Sequence, residues 1–331
     1  MPDMLVLSEK ELRECVTLDA DVVDIIADAF SKLAGGQVIM PPILRMDMAD
    51  KNGEVDVKTA YVPGLDGFAI KTSPGFFDNP KKGLATTSGL MTVHSSETGH
   101  VQAILLDNGY LTDIRTAAAG AVAARHMAPE EVSTLGIIGA GMQARLQAKA
   151  FCLARNVDRI LVWGRDPDSA KKAAQDITRL TGKQASVSES LSAMVRDAQA
   201  IVTTTPARKP LIDKTMLHPG LHITAMGSDS EHKNEISPEV IAQAELFVCD
   251  KHEQSARLGE LHHAIGGGLV PEDMPVIELG QLVSGLHPGR TEEDQVTICD
   301  LTGTGVQDTA IAVHALAVAR AKGLGTVIKG D

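Results

Sequence analysis

The stretch Thr134-Leu-Gly-Ile-Ile-Gly139-Ala-Gly141-Met-Gln-Ala144 decides how this chain folds. Its apolar run, Leu135 to Ile138, reads as a short buried strand, and the Ala-rich run from Arg145 to Arg155 reads as a helix. Between them lies Gly139-x-Gly141-x-x-Ala144. Strand, glycine turn and helix in that order form what a dinucleotide pyrophosphate requires. Gly139 permits the tight turn, Gly141 lets backbone approach phosphate, and Ala144 lets helix and strand pack closely. The phosphates then meet the N–H groups and the positive dipole end of a helix. Small residues at this spacing also serve turns that bind nothing. The strand before and the helix after are the context that favours a nucleotide.

Outward from the turn, residues 135–138, 159–163, 200–204, 222–225, 246–249 and 296–299 read as strands, with helices at 167–180 and 238–244 among them. That alternation predicts a doubly wound parallel sheet covered on both faces. The upstream texture differs. Ser8 with Glu11 fits a capping box. Thr17 is placed to cap a second helix carrying Val22, Ile26, Phe30 and Leu33, and Gly35-Gly36 ends it. From Val55 to Asp107, alternating runs such as Gly67-Phe-Ala-Ile-Lys-Thr-Ser predict an antiparallel sheet. A last helix, from Gly305 to Lys322, is expected to pack back on this first domain. The fold class expected is α/β: a Rossmann doubly wound parallel sheet, residues 114–307, inserted into a second α+β domain made of 1–113 plus 308–331.

At 331 residues, with 44% hydrophobic and 22% charged residues, the chain suits an ordered protein of one large or two ordinary domains. A net charge of −12 argues against nucleic acid or an anionic membrane as partner, and does not bear on a small phosphorylated anion. The sequence shows no basic-then-apolar leader and no long uncharged apolar window, so a cytoplasmic protein is the expectation. Cys15, Cys152, Cys249 and Cys299 lie far apart without a C-x-x-C pair, which argues against a zinc knuckle or disulfide framework. His262-His263 is the one metal-like feature. Adjacent histidines are expected to point apart and no third ligand has suitable spacing, so no metal is expected.

The cofactor's ribose end is read from Gly164-Arg165-Asp166-Pro167. In folds selective for NAD, an acidic residue about 20 residues past the glycines receives the ribose hydroxyls. Here Gly164 takes that position, and the Arg165 guanidinium beside it suits a 2′-phosphate. NADP(H) is therefore favoured over NAD(H). Asp166 before Pro167 fits a helix cap, although a one-residue shift would make it the ribose ligand.

Several motifs taken together carry a family likeness. They are Thr112-Asp-Ile-Arg115-Thr-Ala-Ala-Ala, Gly139-Ala-Gly-Met142-Gln143-Ala144, Gly227-Ser-Asp229, Gly259-Glu-Leu-His-His-Ala and Asp300-Leu-Thr-Gly303. The chain resembles the ornithine cyclodeaminase/mu-crystallin family over nearly its whole length. Met40-Pro-Pro-Ile-Leu-Arg45 and Gly53-Glu-Val-Asp-Val-Lys-Thr-Ala-Tyr-Val-Pro-Gly resemble its ectoine-utilisation branch.

The resemblance implies a homodimer in which a Rossmann domain accompanies a substrate-binding and dimerising domain. The chemistry it implies is hydride transfer between nicotinamide C4 and the α-carbon of a small amino or imino acid. Arg45, Lys71 and Arg115 would clamp the substrate carboxylate, a task that suits the planar fork of arginine. Each would otherwise be a surface ion pair. Asp229 would be the catalytic carboxylate, with Lys71 beside it in the catalytic set. Following a strand, Asp229 belongs at the carboxyl end of the sheet, where ligands bind, and it can protonate an imine nitrogen or take a proton in reverse. The bland alternative for Asp229 is a helix N-cap.

By the same resemblance, Thr86 approaches the nicotinamide half and Thr205 the adenosine half of the cofactor. Met226, Gly227 and Lys233 line its pocket, and Leu301 and Thr302 meet substrate or nicotinamide. Met142 and Gln143 join the glycines, and Gly164 and Arg165 complete the nucleotide set. Three functions stay open: an NAD(P)H-dependent imino-acid reductase or amino-acid dehydrogenase, a cyclodeaminase that recycles NAD, and a nucleotide-retaining binding protein. The candidate cations and Asp229 favour catalysis over the last.

Overall fold

Local signals at the N-terminus set the first elements of the structure, a computed structural model that describes residues 2–330. Strand β1 (Met4–Ser8) runs into helix α1 (Glu9–Cys15) through the expected capping box, in which Ser8 and Glu11 serve one another's backbone N–H groups. Helix α2 (Ala20–Ala34) is capped by Asp19 rather than by Thr17. The Val22 N–H donates to Asp19, and the Thr17 hydroxyl donates to the same carboxylate. An ionised acceptor at a helix N-terminus gains from the dipole as a hydroxyl does not.

Strands β2 (Leu44–Met48), β3 (Gly53–Ala60), β4 (Gly67–Phe76), β5 (Leu90–Ser95) and β6 (Val101–Leu106) follow as antiparallel neighbours. Helix α3 (Tyr110–Met127) leads to β7 (Glu131–Ile138), α4 (Met142–Ala154), β8 (Asn156–Trp163) and α5 (Pro167–Thr181). Next come β9 (Gln184–Val187), α6 (Leu191–Asp197), β10 (Ala200–Thr203), β11 (His222–Ala225), α7 (Pro238–Gln243) and β12 (Leu246–Cys249). The chain closes with α8 (His252–Leu258), α9 (Glu260–Gly266), β13 (Ile277–Glu278), α10 (Leu279–Val283), β14 (Thr297–Asp300), α11 (Gly305–Lys322) and β15 (Thr326–Ile328).

The chain divides into two compact units: the segments up to Arg115 and from Thr304 onward, and Thr116–Gly303. The division falls within α3, two residues past the sequence boundary of 113, and ahead of α11 rather than at 307/308. In the first unit the strand order is β15-β1-β6-β5-β4-β3-β2. The sheet is mixed, because β1 lies parallel to β6; that pairing joins segments far apart in the chain, and no local pattern announces it. Helix α11 packs on β3, β4 and α2. Its Thr309 hydroxyl donates to the Ala60 carbonyl (2.8 Å) and accepts from the Ala69 N–H (3.1 Å), which draws the first turn of the helix onto the sheet.

The second unit is an eight-stranded, wholly parallel sheet in the order β13-β12-β14-β11-β10-β7-β8-β9. Every residue of β10, β11, β12 and β14 is buried, as expected of parallel strands covered on both faces. Chain order reverses between β7 and β10, which opens a crevice at the carboxyl ends of those strands. On one face Phe151, Ala144 and Ala148 of α4 pack with Ile137, Ile160 and Val162; truncating a buried phenylalanine such as Phe151 costs roughly 3–5 kcal/mol. Among the described residues no helix is long and apolar enough to cross a membrane.

Candidate functional site

At the end of β7, Gly139 adopts φ +126°, and its N–H donates to the Trp163 carbonyl at 2.8 Å. A Cβ there would collide with the side chain of Thr204, so both conformation and close packing require glycine. Gly141 differs. A Cβ there would meet nothing within 4 Å, and as N-cap of α4 it brings no side-chain acceptor. The space before the first N–H groups of α4 therefore fits a phosphate, whose oxygens supply the missing acceptors. Arg145, unremarked in the sequence, holds this turn. Its guanidinium donates to the carbonyls of Ala140 (2.6 Å) and Gly141 (2.9 Å), while Asp176 anchors its Nε at 2.8 Å. Ala144 is fully buried, Gln143 partly exposed, and Met142 exposed on the first turn.

Beyond β8, a Cβ at Gly164 would find ordinary contacts at 3.4–3.8 Å. The missing carboxylate is thus a matter of chemistry, not of space. Arg165 is exposed beside it. Asp166 caps α5, accepting from the Ser169 N–H at 3.0 Å and from the Ser169 hydroxyl.

Asp229 lies past the carboxyl end of β11. Its carboxylate meets Lys233 Nζ at 2.5 Å, with the Asp229 side chain 40% exposed. No helix begins there, so the N-cap alternative has nothing to cap. Around it, two carboxylates that the sequence reading did not assign are fully buried. Glu235 accepts from the Thr205 N–H (2.6 Å), the Thr205 hydroxyl (2.7 Å), the Thr203 hydroxyl (2.6 Å) and the Gly227 N–H (2.8 Å). Glu260 accepts from the Ser228 hydroxyl (2.5 Å), the Asn234 amide (2.7 Å) and the N–H groups of Glu235 (2.8 Å) and Ile236 (3.2 Å). Burial pushes the Glu235 carboxyl up to about 7, and the nearby Glu260 adds to it, against the donors on Thr203 and Thr205. Burial likewise raises Glu260. A Cβ at Gly227 would strike the Thr205 carbonyl and Glu235, so only glycine lets these segments meet.

Met226 is partly exposed at the same strand end. After β14, the Leu301 N–H donates to the Ala225 carbonyl at 2.9 Å, and Asp250 accepts from the N–H groups of Thr302 (2.9 Å) and Gly303 (2.7 Å). His262 and His263 lie edge to face, ring centroids 5.1 Å apart, rather than pointing away from one another. They face different carbonyls, those of Ala256 and Lys233.

In the first unit, Lys71 on β4 and Arg115 on α3 converge on Asp308 of α11. Lys71 Nζ lies 3.0 and 2.9 Å from the two Asp308 oxygens, and Arg115 Nε lies 3.0 Å from Oδ1. All three side chains are buried. A fourth charge, the buried Lys58, stands directly opposite Lys71 in the β3–β4 pairing. Burial, together with Arg115 and Lys58, pushes the Lys71 ammonium down to about 7 even though Asp308 pulls it up. Burial alone would raise the Asp308 carboxyl; Arg115, Lys71 and Lys58 outweigh it and hold it below the ordinary value.

Arg45 stands outside this cluster. It pairs with Asp47 (3.0 Å), Glu54 and Asp56 (3.6 Å), one strand beyond Lys58 and two register positions along. Thr86 lies in the loop between β4 and β5, where its carbonyl accepts from the Phe76 N–H at 2.8 Å. The Asp308 carboxylate had a readable signal, a lone acid in the first turn of an Ala/Val-rich helix. Lys58 had none, because its neighbour across the sheet is visible only once register is known.

The family model described as the ornithine cyclodeaminase/mu-crystallin family matches residues 3–322. A Rhizobium meliloti protein with a dehydrogenase name is 54% identical over 329 residues, covering 99% of this chain and 100% of its own. The Δ1-pyrroline-2-carboxylate reductase of Thermococcus litoralis, solved with NADH and L-proline, superposes with a TM-score of 0.93 at 27% identity, covering 98% of this chain and 100% of that one. An archaeal alanine dehydrogenase, solved as a dimer with bound NAD, gives 0.91 at 30% identity over 99% of each chain.

Proposed function

This chain belongs to the ornithine cyclodeaminase/mu-crystallin family, and on that premise we propose that it is an NAD(P)H-dependent oxidoreductase of a small α-imino or α-amino acid. The observation that carries this reading is the cluster of Lys71 and Arg115 about Asp308. These groups form a buried pair of cations about one carboxylate, with Lys58 beside it and the buried Asp107 carboxylate near enough to act on Lys71. A guanidinium and an ammonium gathered in this way suit the α-carboxylate of an amino or imino acid. The Gly139–Gly141 turn would hold the phosphates of a nicotinamide dinucleotide, which when bound would supply hydride for the α-carbon. Asp229 gives a proton to the imine nitrogen as the C=N bond is reduced to CH–NH, and takes one back in the oxidative direction. Lys233, in contact with Asp229, keeps that carboxyl oriented.

Finer features of the proposal rest on single residues. Gly164 and the exposed Arg165 support NADP(H) over NAD(H), even though the two related structures named above hold NADH and NAD. The dimeric alanine dehydrogenase supports a homodimer. The likeness of residues 40–64 to the ectoine-utilisation branch supports a substrate derived from a diaminobutyrate-like or hydroxyectoine-like compound. We place the enzyme in the cytoplasm, where its cofactor is available.

The test is a screen of cyclic imines, and of α-keto acids with ammonium, against both reduced cofactors. Loss of reduced-cofactor absorbance with formation of an amino acid supports the proposal. Ammonia release from ornithine without net cofactor change would make the protein a cyclodeaminase instead. Cofactor binding without turnover of anything in the screen would leave a binding protein.

A further inference from the structure

The loop that carries Asp229 is fastened from both ends by buried acids that the reaction itself does not employ. Before Asp229, the Gly227 N–H is held by Glu235 and the Ser228 hydroxyl by Glu260. After it, Asn234, Glu235 and Ile236 all donate to Glu260, and His263 reaches the Lys233 carbonyl at 2.7 Å. Glu235 then ties this loop to the end of β10 through Thr203 and Thr205. Asp229, between the tethered ends, keeps a side chain 40% exposed and in contact with Lys233.

Burying two carboxylates near one another is expensive, and apolar packing of the same loop would cost less. What the acids add is direction. Eight hydrogen bonds converge on four carboxylate oxygens, and charge-assisted bonds of this kind are shorter and stronger than neutral ones. Direction matters for a proton donor, because transfer requires hydrogen-bond reach and small misplacements cost rate steeply.

We propose that Glu235 and Glu260 are positioning residues that fix the Asp229 carboxyl for proton transfer, acting through Gly227, Ser228 and Asn234 and anchored on Thr203 and Thr205. This inference rests on the function proposed above. It gives a role to the Gly259-Glu260-Leu-His-His motif, which the cofactor and substrate assignments leave without one.

The test uses full-length Glu235→Gln and Glu260→Gln, with Asp229→Asn alongside. Glutamine keeps the volume but turns one acceptor oxygen into a donor facing other donors. We expect kcat for imine reduction to fall about tenfold to a hundredfold per folded molecule in both variants, while in Glu260→Gln, which bonds neither Thr205 nor Gly227, the Kd for reduced cofactor stays within about threefold of the parent. The pH profile of kcat should change shape, because a displaced carboxyl no longer delivers its proton within hydrogen-bond reach. If activity falls only with the folded fraction, and kcat per folded molecule and the pH profile match the parent, the acids are merely structural and the inference is overturned. Should neither glutamine variant fold, Ser228→Ala removes one tether: a severalfold loss of kcat at unchanged cofactor Kd supports the inference, and a parental kcat overturns it. Asp229→Asn separates the two levels. A parental rate there refutes the proton-donor assignment itself, whereas a lost rate there with parental glutamine variants refutes only the positioning role.

Discussion

Replacing Asp308 with Asn tests the charge logic of the first unit. Asparagine fills the same volume, so the cavity contribution is small and the cost is electrostatic. Asp308 meets Lys71 at 2.9 Å and Arg115 at 3.0 Å, all three buried. Removing one partner of a buried ion pair costs roughly 3–5 kcal/mol. Lys71 offers a partial escape, because its ammonium already titrates at about 7 and without Asp308 it falls further and sheds its proton. The unfolded chains titrate alike, so their contributions cancel between parent and variant. Below about 7 the native parent holds a proton on Lys71 that the native variant lacks, so the parent's advantage is greatest on the acid side. Integrated from about pH 6 to about pH 8, that difference is close to one proton over one pH unit, or about 1.4 kcal/mol. Urea unfolding followed by circular dichroism should therefore show a loss of about 4 kcal/mol near pH 6, and about 1.4 kcal/mol less near pH 8. Added pyruvate should return part of the loss, since it supplies an anion to the orphaned cations. A variant within about 0.5 kcal/mol of the parent at both pH values, or one hurt more at the higher pH, refutes the reasoning.

Substitutions at other single positions have their own expected outcomes. Gly139→Ala should lower both stability and cofactor affinity, since its Cβ meets Thr204 at a positive φ; Gly141→Ala, with open space around its Cβ, should leave the melting temperature near the parental value while weakening NAD(P)H binding as measured by fluorescence quenching. Affinity for a small carboxylate inhibitor should fall about tenfold per pH unit above about 7, as Lys71 loses its charge, and Lys71→Met should flatten that dependence in calorimetric titrations. Arg165→Ala should weaken NADPH about tenfold or more relative to NADH; equal effects on both cofactors would remove the 2′-phosphate role.

What was legible in the sequence was whatever is local. The strand-turn-helix about Gly139, the capping box at Ser8 and the apolar strands of the parallel sheet all announce themselves within a few residues. Strand β9 was missed because Gln184-Ala-Ser-Val lies at the sheet edge with mostly exposed residues and no apolar run. Asp19 displaced Thr17 as a cap because both sit within reach of the same helix end, and local pattern does not rank them. Among the candidate residues, Arg115, Lys71 and Asp229 could be named from motifs, but the partners each has within its own unit could not. Lys58 depends on register across β3 and β4, and Glu235 and Glu260 come together only after strands and helices pack. Arg45 shows the converse: the motif names it, and the fold commits it to Asp47, Glu54 and Asp56.

On the proposed function, hydride passes from nicotinamide to the α-carbon of an imino acid held by its carboxylate. The most direct measurement follows the atom. The enzyme is run with reduced cofactor deuterated at nicotinamide C4 and an imine it accepts, and the amino-acid product is analysed by mass spectrometry and proton NMR. One deuterium is expected at the α-carbon when the labelled face is the one used, with Asp229→Asn slowing its appearance. An amino acid formed without deuterium from cofactor labelled on either face would contradict the proposed function.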